Sequence, residues 1–389
     1  MDVAALQDSW EMVAKSGDEV PLYFYSHLFL SHPELREMFP IAMSGQRDRL
    51  VTALGRIVSN VHQIDEVVGF IQQLGRDHRR FSVVATNYDA VGASLLATLR
   101  QFLGASWTDS LAADWAAAYG LVAKTMIEAA EQDEEVAPAW WMADVTYVER
   151  RTTDVGIVQL KPHQEYAYEA GQSMAMEVPQ RPRLWRYFSP ANAPRPDGSI
   201  ELHVQVVDGG QVSGSIVRSL KTGDSVKLGR PVGRMLTMNS AANRDLLLVA
   251  GGTGLSPFRA LLEQIDNHWR EAGSAPRVHL YHGAKMPWNL YAREEMTRLS
   301  TRPWFDYTEV VSDDSTFPGA RGKVGSAAAR GTWNGRLALV CGSPRMVEHT
   351  TSELTAAGVS QSDIRSEELG GITGSINPPG TTEQVGEQS

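Results

Sequence analysis

The chain has 389 residues, of which 42% are hydrophobic and 21% are charged, which is typical of a globular protein with two or three domains. A formal net charge of −10 argues against nucleic acid or an anionic membrane as a partner. The single cysteine, Cys341, excludes an internal disulfide, an iron–sulfur cluster and a zinc site made of several thiolates.

Nothing in the sequence indicates export or membrane insertion. No apolar run reaches the roughly 18 residues of a membrane span. Residues 1–21 carry acidic side chains where a signal peptide has a basic start. We therefore expect a cytoplasmic protein without stable membrane insertion, whose redox chemistry would use organic cofactors or a metal held mainly by histidine.

Residues 1–137 are predicted to form an all-α domain, because strand signals are almost absent and apolar residues recur at helical spacing. The predicted amphipathic helices cover residues 8–14, 20–30, 46–61, 64–75, 89–103 and 111–130.

Residues 138–240 change to short alternating strands separated by turn residues, which indicates a small antiparallel β-barrel. The predicted strands cover residues 145–150, 156–160, 173–178, 200–207 and 225–228. In residues 241–369 strands alternate with helices, the pattern of a doubly wound α/β domain that binds a nucleotide. Residues 370–389 are poor in large apolar groups, and we expect a disordered tail.

A glycine turn is the strongest local motif of the α/β domain. A buried strand ends at Gly251, and Gly252, Thr253 and Gly254 lead into a helix. Such a turn lets backbone N–H groups at a helix N-terminus approach a pyrophosphate. The bare motif also fits an ordinary tight turn, but a strand before it and a helix after it favour dinucleotide binding.

His78 has unusual surroundings among the ten histidines, in LGRDHRRF, although this stretch also fits a solvated helix face. FYSHLFLSHPELREMF, then QRDRLVTALGRIVSNV, then His78 with Tyr88 ten residues later, resemble the bacterial globins. A globin followed by a barrel and a nucleotide domain resembles the flavohaemoglobins over nearly the whole chain. The resemblance implies haem b, FAD and NAD(P)H as cofactors, with His78 as the axial iron ligand.

The same resemblance assigns roles around the haem. It places Tyr25 and Gln46 in the gas pocket, Phe39 against the haem, Leu50 over the iron and Tyr88 on the proximal side. Read without the family, Tyr25 and Phe39 are plain helical core.

Two positions on the proximal side depart from the family. Ala130 stands where members have a glutamate that pushes electron density toward the iron, and Asp77 stands where a lysine is usual. Both departures put peroxidase-like oxygen activation in doubt.

In the barrel, Arg186, Phe188 and Ser189 resemble the family's RxYS flavin motif, with phenylalanine in place of tyrosine. Residues 209–216 resemble the element that receives the flavin pyrophosphate, although they fit a hairpin turn into a helix equally well. The residues concerned are Gly210, Gln211, Val212 and Ser213.

Cys341 and Gly342 resemble the element beside the nicotinamide, although a lone buried cysteine is more often inert packing. Leu369 lies where members carry an aromatic residue on the flavin.

The expected function is electron transfer from NAD(P)H through FAD to haem, with oxidation of nitric oxide by dioxygen to nitrate. One alternative is a divergent member that takes electrons from another donor, such as a hydroxy acid, and has little of this activity. Another is a haem-based gas or redox sensor. The choice between NADH and NADPH, and the oligomeric state, stay open.

Overall fold

The computed structural model describes residues 1–60, 64–241 and 244–367, and it divides into two compact units, Met1–Ala139 and Trp140–Leu369. The predicted tail at 370–389 and Leu369 lie outside the described residues.

The first unit is helical, as predicted. Its helices are α1 Val3–Ala14, α2 Glu19–Ser31, α3 Ser44–Ser59, α4 Ile64–His78, α5 Ala85–Leu103 and α6 Asp109–Glu134, with short 3₁₀ turns at Pro33–Met38, Arg79–Phe81 and Gly104–Ser106. Helix α1 begins five residues before the predicted start because the Asp2 carboxylate accepts a hydrogen bond from the Ala5 N–H at 3.1 Å.

Helices α4 and α6 pack closely through a glycine. A Cβ on Gly75 would lie 2.2 Å from the backbone oxygen of Met126. Only a residue without a side chain allows this approach, which sets the end of α4, and with it His78, against α6.

The second unit contains two sheets. The first is antiparallel and consists of β1 Trp141–Arg150, β2 Val155–Pro162, β3 Ser173–Glu177, β4 Arg186–Phe188, β5 Ile200–Gln205 and β6 Ser225–Val232, with helices α7 Gln211–Ser219 and α8 Met238–Ala241 after β5 and β6. Its strand order is β4-β3-β6-β1-β2-β5. Pro190, just after β4, bridges to Leu202 of β5 and so joins the two edges of the sheet into the expected barrel.

The second sheet is parallel, with the order β10-β9-β8-β7-β11-β12. Its strands are β7 Leu246–Gly251, β8 Val278–Ala284, β9 Phe305–Val311, β10 Ala320–Arg321, β11 Leu337–Cys341 and β12 Ile364–Ser366, and its helices are α9 Leu255–Ala272, α10 Arg293–Leu299, α11 Val324–Ala328 and α12 Pro344–Ala356. The strand order reverses between β7 and β11. Ligands of open α/β sheets bind at the carboxyl edge of such a switch point.

The predicted fold class, an all-α domain followed by an antiparallel barrel and a parallel α/β sheet, is confirmed. The short strand β4 was not predicted, since three residues are too few to show an alternating pattern. Within the described ranges, no helix combines the length and the apolar character needed to cross a membrane.

Candidate functional site

His78 ends α4 and presents one ring nitrogen with a lone pair. Its Nδ1 lies 2.7 Å from the backbone oxygen of Leu74. A carbonyl oxygen only accepts hydrogen bonds, so Nδ1 carries the proton and the lone pair is on Nε2. Burial lowers the pKa of His78 despite the Leu74 hydrogen bond, which keeps the imidazole neutral. A neutral imidazole of this tautomer is suited to ligate a haem iron.

The predicted gas-pocket residues lie together in the helical core. Tyr25 is 6% exposed and shares a hydrophobic cluster with Phe39 and Leu50. The rings of Tyr25 and Phe39 meet edge to face, with centroids 5.6 Å apart. The Tyr25 hydroxyl donates to the backbone oxygen of Gln46 over a long 3.5 Å, and the Gln46 side chain accepts a hydrogen bond from Arg49 at 2.8 Å.

The Tyr25 phenol stays protonated at any physiological pH. Burial raises its pKa to about 12, although the hydrogen bond to Gln46 and the charge of Arg49 act in the opposite direction. A protonated phenol is a hydrogen-bond donor, which is the form that stabilises negative charge on bound dioxygen.

Tyr88 lies in a separate cluster, packed against α4 and α6. The Tyr119 hydroxyl donates to its backbone oxygen at 2.6 Å. Tyr88 also lines a cavity of about 450 Å³ between α5 and α6. The other lining residues are Ala85, Asp89, Tyr119, Gly120, Ala123, Lys124, Ile127 and Glu128. Ala130, half-buried on α6, offers only a methyl group where the family has a carboxylate.

Asp77, the other proximal departure, is held by neighbours that the sequence interpretation missed. Its carboxylate forms an ion pair with the buried Arg80 and accepts a hydrogen bond from Gln73 at 3.3 Å. Burial raises the pKa of Asp77, and the charge of Arg80 opposes that rise. The acid and base three residues apart in RDHRR were the signal for this pair.

A second buried ion pair ties the end of α4 to α6. Arg79 and Asp133 are 9% and 7% exposed, and Arg79 also donates to the backbone oxygen of Ala137 at 2.9 Å. Because Arg79 and Asp133 are 54 residues apart in the chain, no local sequence pattern predicts this ion pair.

The predicted flavin motif coincides with the short strand β4. Phe188 pairs with Met174 of β3 and packs against the barrel core. The hydroxyls of Ser189 and Ser173 lie 2.8 Å apart. Arg186 is half-buried and donates to the backbone oxygen of Trp185 at 2.8 Å, and burial lowers its pKa. A half-buried guanidinium beside a motif serine fits the binding of a flavin phosphate.

The predicted pyrophosphate element is a tight turn into the helix α7. A Cβ on Gly210 would lie 2.8 Å from both the Val207 oxygen and the Ser213 hydroxyl. That hydroxyl accepts a hydrogen bond from the Val207 N–H at 3.1 Å. Gln211 and Val212 begin the helix. Residues 209–216 are thus a glycine turn that leads into a helix. Both interpretations of the sequence, a hairpin turn into a helix and an element that receives the flavin pyrophosphate, are compatible with this geometry.

The glycine turn after β7 lies between the barrel and β11. Gly252 has a φ of +54°, and a Cβ there would lie 2.7 Å from Gln205 Oε1 of β5. A Cβ on Gly254 would lie 2.3 Å from the backbone oxygen of Cys341. At Gly251 the nearest atom is Met346 Cγ, at 3.3 Å. At Gly254 backbone therefore packs on the backbone of β11, and α9 begins directly after the turn at Leu255.

Glu367, which the sequence interpretation missed, joins the barrel to this edge of the sheet. Its carboxylate accepts hydrogen bonds from the N–H groups of Arg234 and Met235, at 3.1 and 2.9 Å. Burial raises the pKa of Cys341 to about 12, and the charge of Glu367 adds to the rise. The thiol therefore stays protonated at physiological pH, and its proximity to the nicotinamide stays a prediction.

A buried polar network also fixes β5 to the α/β side. His203 contacts the Tyr291 hydroxyl at 2.9 Å and Glu201 at 3.0 Å. Arg259 pairs with Glu201 at 2.9 Å. Burial alone would raise the pKa of Glu201, but His203 and Arg259 lower it to about 2. The Glu201 carboxylate is therefore ionised, and its buried ion pair with Arg259 connects β5 of the barrel to α9.

In the described part of the chain, no three or more His, Cys, Asp or Glu side chains are arranged to hold a metal ion. The geometry of His78 is compatible with ligation of a haem iron through Nε2, and the aromatic pair of Tyr25 and Phe39 lies in the same domain.

Three protein families match successive parts of the chain. The globin family matches residues 22–126, the oxidoreductase FAD-binding domain matches residues 143–236, and the oxidoreductase NAD-binding domain matches residues 248–352. The chain therefore binds haem, FAD and a nicotinamide nucleotide.

Relatives support the same organisation. The flavohemoprotein of Rhizobium meliloti (strain 1021) is 26% identical over 79% of this chain and 79% of its own length. The reductase component DmpP of phenol 2-monooxygenase from Pseudomonas sp. (strain CF600) is 32% identical over 53% of this chain, which spans 59% of that protein. The flavohemoglobin of Malassezia yamatoensis, solved with FAD and heme, has the same fold, with a TM-score of 0.74, 18% identity and coverage of 94% of this chain and 97% of its own.

Proposed function

We propose that this chain, a member of the flavohaemoglobin family, uses electrons from NAD(P)H to oxidise nitric oxide with dioxygen to nitrate. The observation that carries the proposal is the neutral His78, with its lone pair on Nε2, on the same chain as a flavin module and a nicotinamide module. One nitric oxide and one dioxygen together take up one electron to become one nitrate. The two electrons of one hydride therefore support two turnovers. We further propose a cytoplasmic location.

The globin residues bind and orient the gas. Haem, when bound, supplies one-electron chemistry on dioxygen and nitric oxide, and His78 Nε2 would hold its iron. Leu74 keeps the histidine proton on Nδ1, so the tautomer needed for ligation exists before the iron arrives. Tyr25 keeps its phenolic proton and would donate it to the gas in place of its long hydrogen bond to the Gln46 oxygen, while Phe39 and Leu50 exclude water.

The second unit binds the electron donor and the flavin. Arg186 and the turn before α7 offer a cation and N–H groups to the flavin phosphates. The turn before α9 offers the same kind of N–H groups to the dinucleotide pyrophosphate. Glu367 holds the barrel loop at Arg234 and Met235 beside the end of β11, which limits movement between the two ligands.

Spectra and turnover of two histidine variants test this proposal. The full chain should show a Soret band, lose its flavin absorbance with anaerobic NADH or NADPH, and consume nitric oxide aerobically at two per NAD(P)H. His78→Ala should lose the Soret band and nitric oxide consumption, and NAD(P)H should still bleach its flavin. His32→Ala is the matched control, because His32 is 39% exposed in the same unit and pairs only with Glu34 in the described structure. Nitric oxide consumption that survives in His78→Ala would refute the role of this histidine.

The proximal side favours a second candidate, a divergent flavohaemoglobin that draws electrons from another donor, such as a hydroxy acid, with slow nitric oxide oxidation. The supporting observations are the half-buried methyl group of Ala130 on α6 and the ion pair of Asp77 with Arg80, next to His78 in the chain. Anaerobic flavin bleaching by a panel of hydroxy acids, without bleaching by NAD(P)H, would decide for this candidate. A turnover no faster than that of free flavin would instead indicate a sensor.

A further inference from the structure

Alternate residues of β5 form two faces with different neighbours. One face packs in the barrel core and consists of Ile200, Leu202 and Val204. The other face is polar and consists of Glu201, His203 and Gln205. A Cβ on Gly252 would lie 2.7 Å from Gln205 Oε1, and His203 Nδ1 lies 2.9 Å from the Tyr291 hydroxyl. The polar face of this barrel strand therefore meets the α/β side at the glycine turn and at Tyr291.

The hydrogen bonds around His203 run in a single direction. The Glu201 carboxylate is ionised and only accepts, so His203 Nε2, which it contacts at 3.0 Å, carries the proton. Burial lowers the pKa of His203, although the hydrogen bond to Glu201 acts in the opposite direction, and the imidazole is neutral. Nδ1 then has a lone pair, and the Tyr291 hydroxyl donates to it. The acceptor that holds Tyr291 thus belongs to the barrel.

Tyr291 also meets the two side chains that bind carbonyl oxygens of the glycine turn. The Ser256 hydroxyl donates to the Thr253 oxygen at 2.9 Å, and His282 Nε2 donates to the Gly252 oxygen at 3.0 Å. The rings of Tyr291 and His282 meet edge to face, with centroids 6.0 Å apart. Burial raises the pKa of Tyr291, and a hydrogen bond with the Ser256 side chain acts in the opposite direction. One buried tyrosine thus contacts both side chains that hold this turn.

The two carbonyl oxygens determine where the next two N–H groups point. A peptide unit is planar and trans, so its N–H points away from its oxygen. With the oxygens of Gly252 and Thr253 bound to buried donors, the N–H groups of Thr253 and Gly254 are directed to the opposite side of the turn. Rotation of either peptide unit would leave a buried donor without its acceptor, which is unfavourable. Because N–H groups are what the turn offers to a pyrophosphate, their direction should set the affinity.

We propose that Tyr291 is a positioning residue for the nicotinamide nucleotide, and that His203 of the barrel holds Tyr291 in place. Tyr291 acts through Ser256 and His282, which fix the N–H groups of the glycine turn. The proposal rests on the proposed function only in that the pyrophosphate of a nicotinamide nucleotide binds at this turn. Tyr291 is 7% exposed and its hydroxyl binds His203, so it supports the turn from inside the protein. The affinity of the α/β side for a pyrophosphate therefore depends on a residue of the barrel.

Calorimetric titration of the flavin-loaded, full-length protein with ADP-ribose tests the proposal, since this probe carries the pyrophosphate but no nicotinamide. Tyr291→Phe keeps the ring and removes the hydroxyl, and we expect ADP-ribose to bind about three- to tenfold more weakly. His203→Leu removes the acceptor for Tyr291 and should weaken binding to a similar degree, while Glu201 keeps its ion pair with Arg259. His203→Gln offers one acceptor and one donor on the same amide, so its affinity should stay within about twofold of the wild type.

Two further measurements separate positioning from a general structural role. The double variant Tyr291→Phe/His203→Leu should bind ADP-ribose no more than about twofold more weakly than the weaker single variant, because both changes break the same hydrogen bond. In anaerobic flavin reduction by NADH, Tyr291→Phe should raise the KM and change the limiting rate by less than about twofold. Tyr166→Phe is the matched control, because it removes a tyrosine hydroxyl that donates to the Gly229 oxygen at 2.6 Å within the barrel, and its ADP-ribose affinity should equal that of the wild type.

Unchanged ADP-ribose affinity in Tyr291→Phe, or an equal loss in Tyr166→Phe, would overturn the role of Tyr291. Additive losses in the double variant, or a loss in His203→Gln as large as in His203→Leu, would overturn the role of His203. Retained flavin absorbance in Tyr291→Phe and His203→Gln shows that these variants fold. A wild type that binds no ADP-ribose would overturn the pyrophosphate site at this turn. If nitric oxide oxidation fails while these titrations succeed, only the proposed activity is wrong.

Discussion

Replacing Gly254 by alanine should destabilise the second unit strongly, whereas the same change at Gly251, three residues earlier in the same turn, should not. A Cβ on Gly254 would lie 2.3 Å from the Cys341 oxygen and 2.6 Å from the Cys341 carbonyl carbon. Ordinary carbon–oxygen contacts are about 3.3 Å or longer, so the turn and β11 would have to separate by about 1 Å. Both partners are backbone, and Cys341 pairs with Ala250 in the sheet, so neither can rotate away.

The expected cost follows from this geometry. Overpacking in a well-packed site costs about 1–3 kcal/mol, and a backbone clash belongs at the upper end, near 3 kcal/mol. For a unit of this size each kcal/mol lowers the melting temperature by about 2–4 °C, which gives a fall of roughly 6–12 °C. At Gly251 the nearest atoms are Met346 Cγ at 3.3 Å and Sδ at 3.5 Å. The flexible thioether can move, so we expect a loss below about 1 kcal/mol.

Calorimetric unfolding of the flavin-loaded protein measures both variants, and the rate of anaerobic flavin reduction by NADH shows the functional effect. Gly254→Ala should also raise the KM for NADH, because the shifted turn no longer presents its N–H groups correctly to the pyrophosphate. Equal melting temperatures for Gly254→Ala and the wild type would refute the tight contact with Cys341. Equal losses in both alanine variants would show that the turn itself, and not its contact with β11, tolerates no side chain.

Three further predictions concern buried charged and titratable groups. Asp133→Ala should cost the globin unit about 3–5 kcal/mol in urea unfolding, because Arg79 is left as a buried charge. Lys124→Ala removes the exposed ion pair with Glu128 and should change the free energy of unfolding by about 0.5 kcal/mol or less. Burial lowers the pKa of His282 from 6.5 to about 4, although the hydrogen bond to the Gly252 oxygen acts in the opposite direction. Between these two pH values the unfolded chain binds more protons at His282 than the folded chain does. The free energy of unfolding therefore falls as the pH drops from 6.5 to 4. His282→Gln should remove roughly 2.5 kcal/mol of that pH dependence of the unfolding free energy between about pH 7.5 and 4.5, and an unchanged pH dependence would contradict the assignment. Desolvation raises the pKa of Cys341 to about 12, so iodoacetamide at pH 8 should label the native protein far more slowly than the urea-unfolded protein, and equal rates would contradict the raised pKa.

The sequence alone determined the types and order of most of the longer secondary-structure elements, but not of short ones such as β4. Helical spacing located α2 and α5 to within a few residues at each end, and alternation located β2 and β3. These signals are local, because each depends on residues within one or two turns of helix or one strand. The glycine turn at Gly251–Gly254 belongs to the same class, since strand, turn and helix are adjacent in the chain.

Only the tertiary structure decided which side chains meet. Glu367 binds the backbone of Arg234 and Met235 across more than 130 residues, and Arg79 pairs with Asp133 across 54. A glutamate after the last strand and an arginine after a helix look like ordinary solvated charges in the sequence, because their partners arrive through the packing of distant elements. The tautomer of His78 was also invisible in sequence, since it depends on the position of the Leu74 oxygen relative to the ring. Local periodicity thus determined what each segment is, and the long-range contacts that only chain packing creates decided which residues the candidate sites contain.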